Sequence, residues 1–129
     1  MQRLLLDTHA FLWWTADAKD LSSRARKAIG AADSECWLSV ASVWELSIKL
    51  SLGKLQLAQP LKRFVPEQLA ANRIRLLPLA LSHAVLVADL PWHHRDPFDR
   101  LLVAQATVEG LTLVTRDKEL SAYGVSTLW

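Results

Sequence analysis

Four acidic residues stand where an acid can do chemistry: Asp7, Glu45, Asp99 and Asp117. Asp99 begins Asp-Arg-Leu-Leu-Val-Ala-Gln-Ala, an acid and a guanidinium leading into an apolar helical run. The residues just before it, Asp96 and Pro97, already supply a helix cap and an opening proline. Asp99 is therefore surplus to capping. Asp7 and Asp117 follow short apolar runs, and Glu45 falls in the first turn of a helix that follows another. Carboxylates gathered at one point repel each other and keep protons unless a cation neutralises them. An all-oxygen site of this kind suits Mg²⁺, with Mn²⁺ as a substitute. Such an ion keeps waters and completes its shell with phosphate, which points to hydrolysis of a phosphodiester by a metal-activated water.

Each acid also has an ordinary structural use. Asp7 and Asp117 can cap helices, and Ser42-Val43-Trp44-Glu45 fits a capping box in which Glu45 reaches back to a backbone N–H. Glu45 and Lys49 form a favourable i,i+4 pair. Asp99 sits where a helix dipole favours an acid. What favours the chemical reading is the joint placement. Lys49, Arg95, Arg100, Arg116 and Lys118 lie near these acids in sequence, as a solvated surface or as a basic rim that positions phosphates. Ser42 and Thr115 can hydrogen-bond the waters of an ion, or merely cap and pack. His9 and His94 can tune the acids or touch substrate, while no His/Cys spacing suits zinc.

These residues need a scaffold that brings them together. Residues 3–6, 35–40, 75–79, 111–115 and 125–128 read as strands. Helices are expected over residues 10–16, from Ser22 or Ser23 through 32, over 41–52 ended by Gly53, and over 61–73 with a break or restart at Pro66. Ser82 is expected to cap a helix running to residue 90, residues 97–110 form the helix carrying Asp99, and 117–123 a short turn or helix. Strands alternating with helices imply βαβ units and a mainly parallel sheet covered on both faces. Ligands of such sheets gather beyond the carboxyl ends of the strands, where the acids fall.

Composition narrows the classes further. The chain has 129 residues, the size of a single domain over 1–129, and is 51% hydrophobic, enough for a core. A net charge of +2 is compatible with a nucleic-acid partner. One cysteine, Cys36, excludes an internal disulfide and a CxxC knuckle, so a reducing cytoplasm is the expected compartment. No apolar run is long enough to span a bilayer. Six tryptophans are too many to bury with every N–H satisfied, so some belong at an interface.

Read together, Leu6-Asp7-Thr8-His9, residues 39–46 (Ser-Val-Ala-Ser-Val-Trp-Glu-Leu), residues 94–102 (His-Arg-Asp-Pro-Phe-Asp-Arg-Leu-Leu), Thr115-Arg116-Asp117 and the closing segment 123–129 resemble the PIN-domain ribonucleases, and more narrowly the VapC-like toxins of type II toxin–antitoxin pairs. The resemblance spans nearly the whole chain in order. It implies a three-layer α/β/α sandwich with a mainly parallel sheet of about five strands. It implies an endoribonuclease dependent on Mg²⁺ or Mn²⁺, with Asp7, Glu45, Asp99 and Asp117 as the family's four acids. Asp96 falls on an accessory position, and Thr115 on the site hydroxyl. His9, Lys49, Arg95, Arg100 and Arg116 are then candidates for contact with the RNA substrate. A cognate antitoxin and a homodimer are further implications. The alternative is a silent PIN-like binding module without turnover. A haloacid-dehalogenase phosphatase would need an Asp where His9 stands, and a receiver domain would need an acidic pair after the first strand.

Overall fold

The computed structural model describes all residues, Met1–Trp129. Strands β1 (Arg3–Leu6), β2 (Glu35–Ser39), β3 (Ile74–Leu77), β4 (Thr112–Val114) and β5 (Thr127–Leu128) form one sheet in the order β3-β2-β1-β4-β5, with every pair parallel. The crossovers carry α1 (Thr8–Thr15), α2 (Ser23–Gly30), α3 (Val40–Ser51), α4 (Leu61–Asn72), α5 (Leu81–Val87) and α6 (Pro97–Glu109). A 3₁₀ helix, Lys118–Tyr123, joins β4 to β5. This is the expected three-layer arrangement.

β1 shows why both faces are covered. Leu4, Leu5 and Leu6 are fully buried, yet alternate residues point to opposite faces. Leu4 and Leu6 join one core with Phe11, Ile29, Leu38 and Leu46. Leu5 joins the other with Leu102, Val103, Leu113 and Leu120. A continuous apolar strand is what a central position between two helical layers demands.

Several local expectations are corrected. β2 ends at Ser39, whose hydroxyl accepts the Ala41 N–H at 3.0 Å and so caps α3. Ser42 is therefore not a cap: it lies inside α3, 1% exposed, facing Thr8, and Glu45 sits in the second turn. No break occurs at Pro66: α4 runs through it, with the residue on the exposed side and its missing N–H forgoing one backbone bond. α5 starts at Leu81 without a Ser82 cap and stops at Val87. α4 closes on Arg73 in the left-handed region, φ 54°, and β3 begins directly after it. Among the tryptophans, Trp44 and Trp92 are 61% and 78% exposed, while the Trp14 N–H reaches Asn72 at 3.1 Å.

Candidate active site

Register brings the first residues together. Leu6 pairs with Val114 and Leu38, so the chain leaves β1, β2 and β4 at one level. Asp7 then lies beside Thr115, and its N–H donates to the Val114 carbonyl at 3.0 Å. Asp7 caps α1 by accepting the Ala10 N–H at 2.8 Å, so the acid is both a cap and a wall of the site. Thr8, the first residue of α1, donates its hydroxyl to Glu45 at 2.6 Å and lies 3.0 Å from the Ser42 hydroxyl. That bridge ties α1 to α3 and aims Glu45. Lys49 stands one helical turn on, 3.2 Å from the other Glu45 oxygen.

α6 supplies the facing wall. Asp96 caps it, accepting the N–H groups of Phe98 at 2.8 Å and Asp99 at 3.4 Å, and Pro97 opens it. Asp99 is thereby freed from capping and turns to the centre. Asp117 caps the 3₁₀ helix through the Glu119 N–H at 3.0 Å, and the Thr115 hydroxyl accepts the Asp117 N–H at 3.1 Å. His94 Nε2 lies 2.7 Å from Asp117 and 3.8 Å from Asp99. Asp7, Glu45, Asp96, Asp99 and Asp117 all line one cavity of about 540 Å³, with Thr8, His9, Trp13, His94 and Arg116 completing it.

The electrostatics follow from that crowding. Asp7, 8% exposed, has its carboxyl pushed upward chiefly by burial, with the Glu45 charge adding; the Ala10 N–H, the Thr115 hydroxyl and His9 oppose it. Burial, then the charges of Asp96, Asp7 and Glu45, push Asp99 up to about 7, against the pull of His94. Acids pushed toward their protonated form, first by burial and then by one another's charges, are acids short of positive charge. Their donors are oxygens from four different elements, which matches the preferences of Mg²⁺ or Mn²⁺. His94, Asp117 and Glu119 also bring donor atoms within 4.8 Å of one another.

The basic residues divide. Arg116 and His9 are exposed beside the cavity. Lys49 and Arg95 line an adjoining hollow with Lys54. Arg100 is not on the rim: it is 3% exposed, donates to the carbonyls of Val87, Leu90 and Pro91 and to the Tyr123 hydroxyl, and lies 3.8 Å from the Trp92 ring. Its neighbour Asp99 faces the cavity, so residue 100, about 100° further round the helix, turns into protein. Sequence reasoning left out Thr8, Trp13 and Glu119, and gave His94 either tuning of the acids or contact with substrate. Spacing offered a signal for two of them: Trp13 is one turn beyond His9, and Glu119 is two residues beyond Asp117.

The PIN domain family model matches residues 4–125. Ribonuclease VapC22 of Mycobacterium tuberculosis is 35% identical over 124 residues, covering 95% of this chain and 93% of that protein. Among solved structures, VapBC2 from Rickettsia felis, bound to a DNA fragment from its promoter, superposes with a TM-score of 0.72 at 13% identity over 98% of both chains. FitAcB from Neisseria gonorrhoeae gives 0.65 at 22% identity, covering 98% of this chain and 96% of the other. These two likenesses concern the fold. The chain belongs to the PIN-domain family.

Proposed function

We propose that this protein is a divalent-metal-dependent endoribonuclease and the toxin of a type II toxin–antitoxin pair. The observation that carries the reading is the convergence of Asp7, Glu45, Asp99 and Asp117 on one cavity at the carboxyl ends of the parallel strands. The 35% identity to a ribonuclease over nearly the full chain supports it.

Asp7, Glu45, Asp99 and Asp117 would hold Mg²⁺, with Mn²⁺ as a substitute. The bound ion supplies a polarised phosphate and a water acidic enough to attack it near neutral pH. The surrounding residues fix the acids. Thr8 and Ser42 orient Glu45, Thr115 holds the turn that carries Asp117, and Asp96 fixes the start of the helix that carries Asp99. His94 holds Asp117. Arg116, His9, Lys49 and Arg95 border the acids and moderate their repulsion of an RNA backbone.

A cognate antitoxin would cover the cavity, and a homodimer would use part of the exposed aromatic surface around Trp44 and Trp92. A working place in the cytoplasm and a single domain over 1–129 complete the reading. No helix is long and apolar enough to cross a membrane.

RNA cleavage with Mg²⁺, with EDTA, and by Asp7→Asn and Asp99→Asn tests the activity. Cleavage with Mg²⁺ alone, abolished by EDTA and by either substitution, is the expected result. Cleavage indifferent to all three overturns it, and no cleavage at all with any RNA favours a silent binding module. Growth arrest on expression, relieved by co-expression of a cognate antitoxin, tests the toxin role.

A further inference from the structure

The acid cavity has one apolar wall. Trp13 is the single hydrophobic residue lining it. The His9 ring stacks on Trp13 with centroids 5.3 Å apart and planes 23° from parallel, and the Arg116 guanidinium lies 5.9 Å from the Trp13 ring. Trp129 supports Trp13 at 5.8 Å, and the Trp13 ring packs against the core. We infer that Trp13, with His9 and Arg116, forms a stacking seat for one unpaired nucleobase of an RNA strand whose phosphate lies over the acids. The inference rests on the nuclease reading and adds the kind of strand that the site takes.

Three features support it. First, the seat is joined to the acids by short stretches of chain. His9 follows Asp7 by two residues, and Arg116 directly precedes Asp117. A base on this seat therefore has a set distance from the acids, and seating it orients the adjoining phosphate. Second, the three side chains are the kinds that hold single-stranded RNA: an indole, an imidazole and a planar guanidinium. His9 and Arg116 are exposed, so a base reaches them without opening the core. Third, the rest of the cavity is polar and largely acidic, which repels a phosphate chain. Stacking is attraction that does not depend on charge. It holds a strand where Coulomb forces alone would not.

A base already stacked within a duplex presents no free face. The seat thus selects loops and single strands, and cleavage beside it should tolerate any base better than no base.

The test uses short single-stranded RNAs in which one nucleotide at a time near the cut is made abasic. Wild type should lose roughly ten-fold in cleavage at one position next to the cut and little elsewhere. Trp13→Leu and His9→Ala, checked for folding by circular dichroism, should cut intact RNA more slowly and no longer sense that abasic position; Trp13→Phe should restore the dependence. A flat abasic scan in wild type, or the same dependence in folded Trp13→Leu and His9→Ala, overturns the seat while leaving the nuclease reading intact. If no RNA is cut, that reading fails, and the seat is read by 2-aminopurine fluorescence on Asp7→Asn. Quenching at one position that Trp13→Leu and His9→Ala abolish supports the seat, and its absence overturns it.

Discussion

His94 Nε2 lies 2.7 Å from Asp117 Oδ2. Its other ring nitrogen, Nδ1, accepts the Asp96 N–H at 3.1 Å, so Nε2 carries the hydrogen and donates it to Asp117. Asp117 Oδ1 meanwhile accepts the Glu119 N–H. Both oxygens of Asp117 are thus held, one of them by a side chain that also faces Asp99. Groups that orient a metal-binding carboxylate usually matter 10- to 100-fold. His94→Ala should raise the Mg²⁺ concentration for half-maximal cleavage by roughly that factor, and His94→Gln should recover part of the loss. A Mg²⁺ titration of the cleavage rate measures it; an unchanged midpoint in His94→Ala would leave the pair without a role in metal binding.

Asp99 should weigh against folding when no ion is present. Its carboxyl is pushed up to about 7 from an ordinary value of 3.8, so the folded protein keeps a proton that the unfolded chain releases. The penalty is absent below pH 3.8, grows as pH rises, and is complete above 7. The gap corresponds to at most about 4 kcal/mol. Asp99→Asn also gives up a favourable charge in the first turn of α6. In EDTA at pH 8 the substitution should still stabilise the protein by on the order of 1–3 kcal/mol. That gain should shrink toward zero near pH 4. Urea unfolding at both pH values checks the sign: destabilisation at pH 8 would mean that the dipole contact outweighs the crowding.

The same proton competes with the ion. Below about pH 7 an ion must displace it from Asp99, and burial keeps Asp7 prone to protonation as well. Apparent Mg²⁺ affinity should fall by up to ten-fold for each pH unit below that point and level off above it. Thermal shift with Mg²⁺ titrated at several pH values reads this without any RNA. At a concentration 100 times the dissociation constant, Mg²⁺ should stabilise the wild type by about 2.7 kcal/mol. Asp99→Asn should show much less of that gain and a flatter pH dependence.

The sheet was legible because buried parallel strands are short and almost wholly apolar, as Leu4-Leu5-Leu6 and Leu111 to Val114 are. The acids were legible because they stand at strand ends and helix starts, where a parallel sheet collects them. Rotations about a helix axis were harder to read. Asp99 and Arg100 are adjacent, yet one lines the cavity and the other is sealed in protein. Nothing in the pair itself says which is which: the helix dipole favours an acid in the first turn whichever way its side chain points. Ser39 and Ser42 posed a similar problem. Both precede apolar periodicity, and the true cap, Ser39, was hidden by its place at the end of a strand.

Arg100 yields the sharpest difference between sequence and structure. Its guanidinium has no carboxylate partner; carbonyls of Val87, Leu90 and Pro91 and the Tyr123 hydroxyl take its hydrogens, under the exposed Trp92 ring. It therefore fixes the segment that descends to His94, which Tyr123 also holds by accepting the His94 N–H at 2.9 Å. Removing the fork takes the guanidinium from the Leu90 and Pro91 carbonyls, while the Val87 carbonyl keeps the Leu90 N–H, so Arg100→Ala should cost about 2–4 kcal/mol. A lysine offers one ammonium where a planar fork reaches four acceptors, so Arg100→Lys should recover less than half of that loss. A phosphate-binding role predicts the opposite pattern: little change in stability, and weaker RNA binding that lysine largely restores. Chemical denaturation of both variants beside a salt titration of RNA binding separates the two. A folded, near-wild-type Arg100→Ala with a reduced salt dependence would return Arg100 to the substrate.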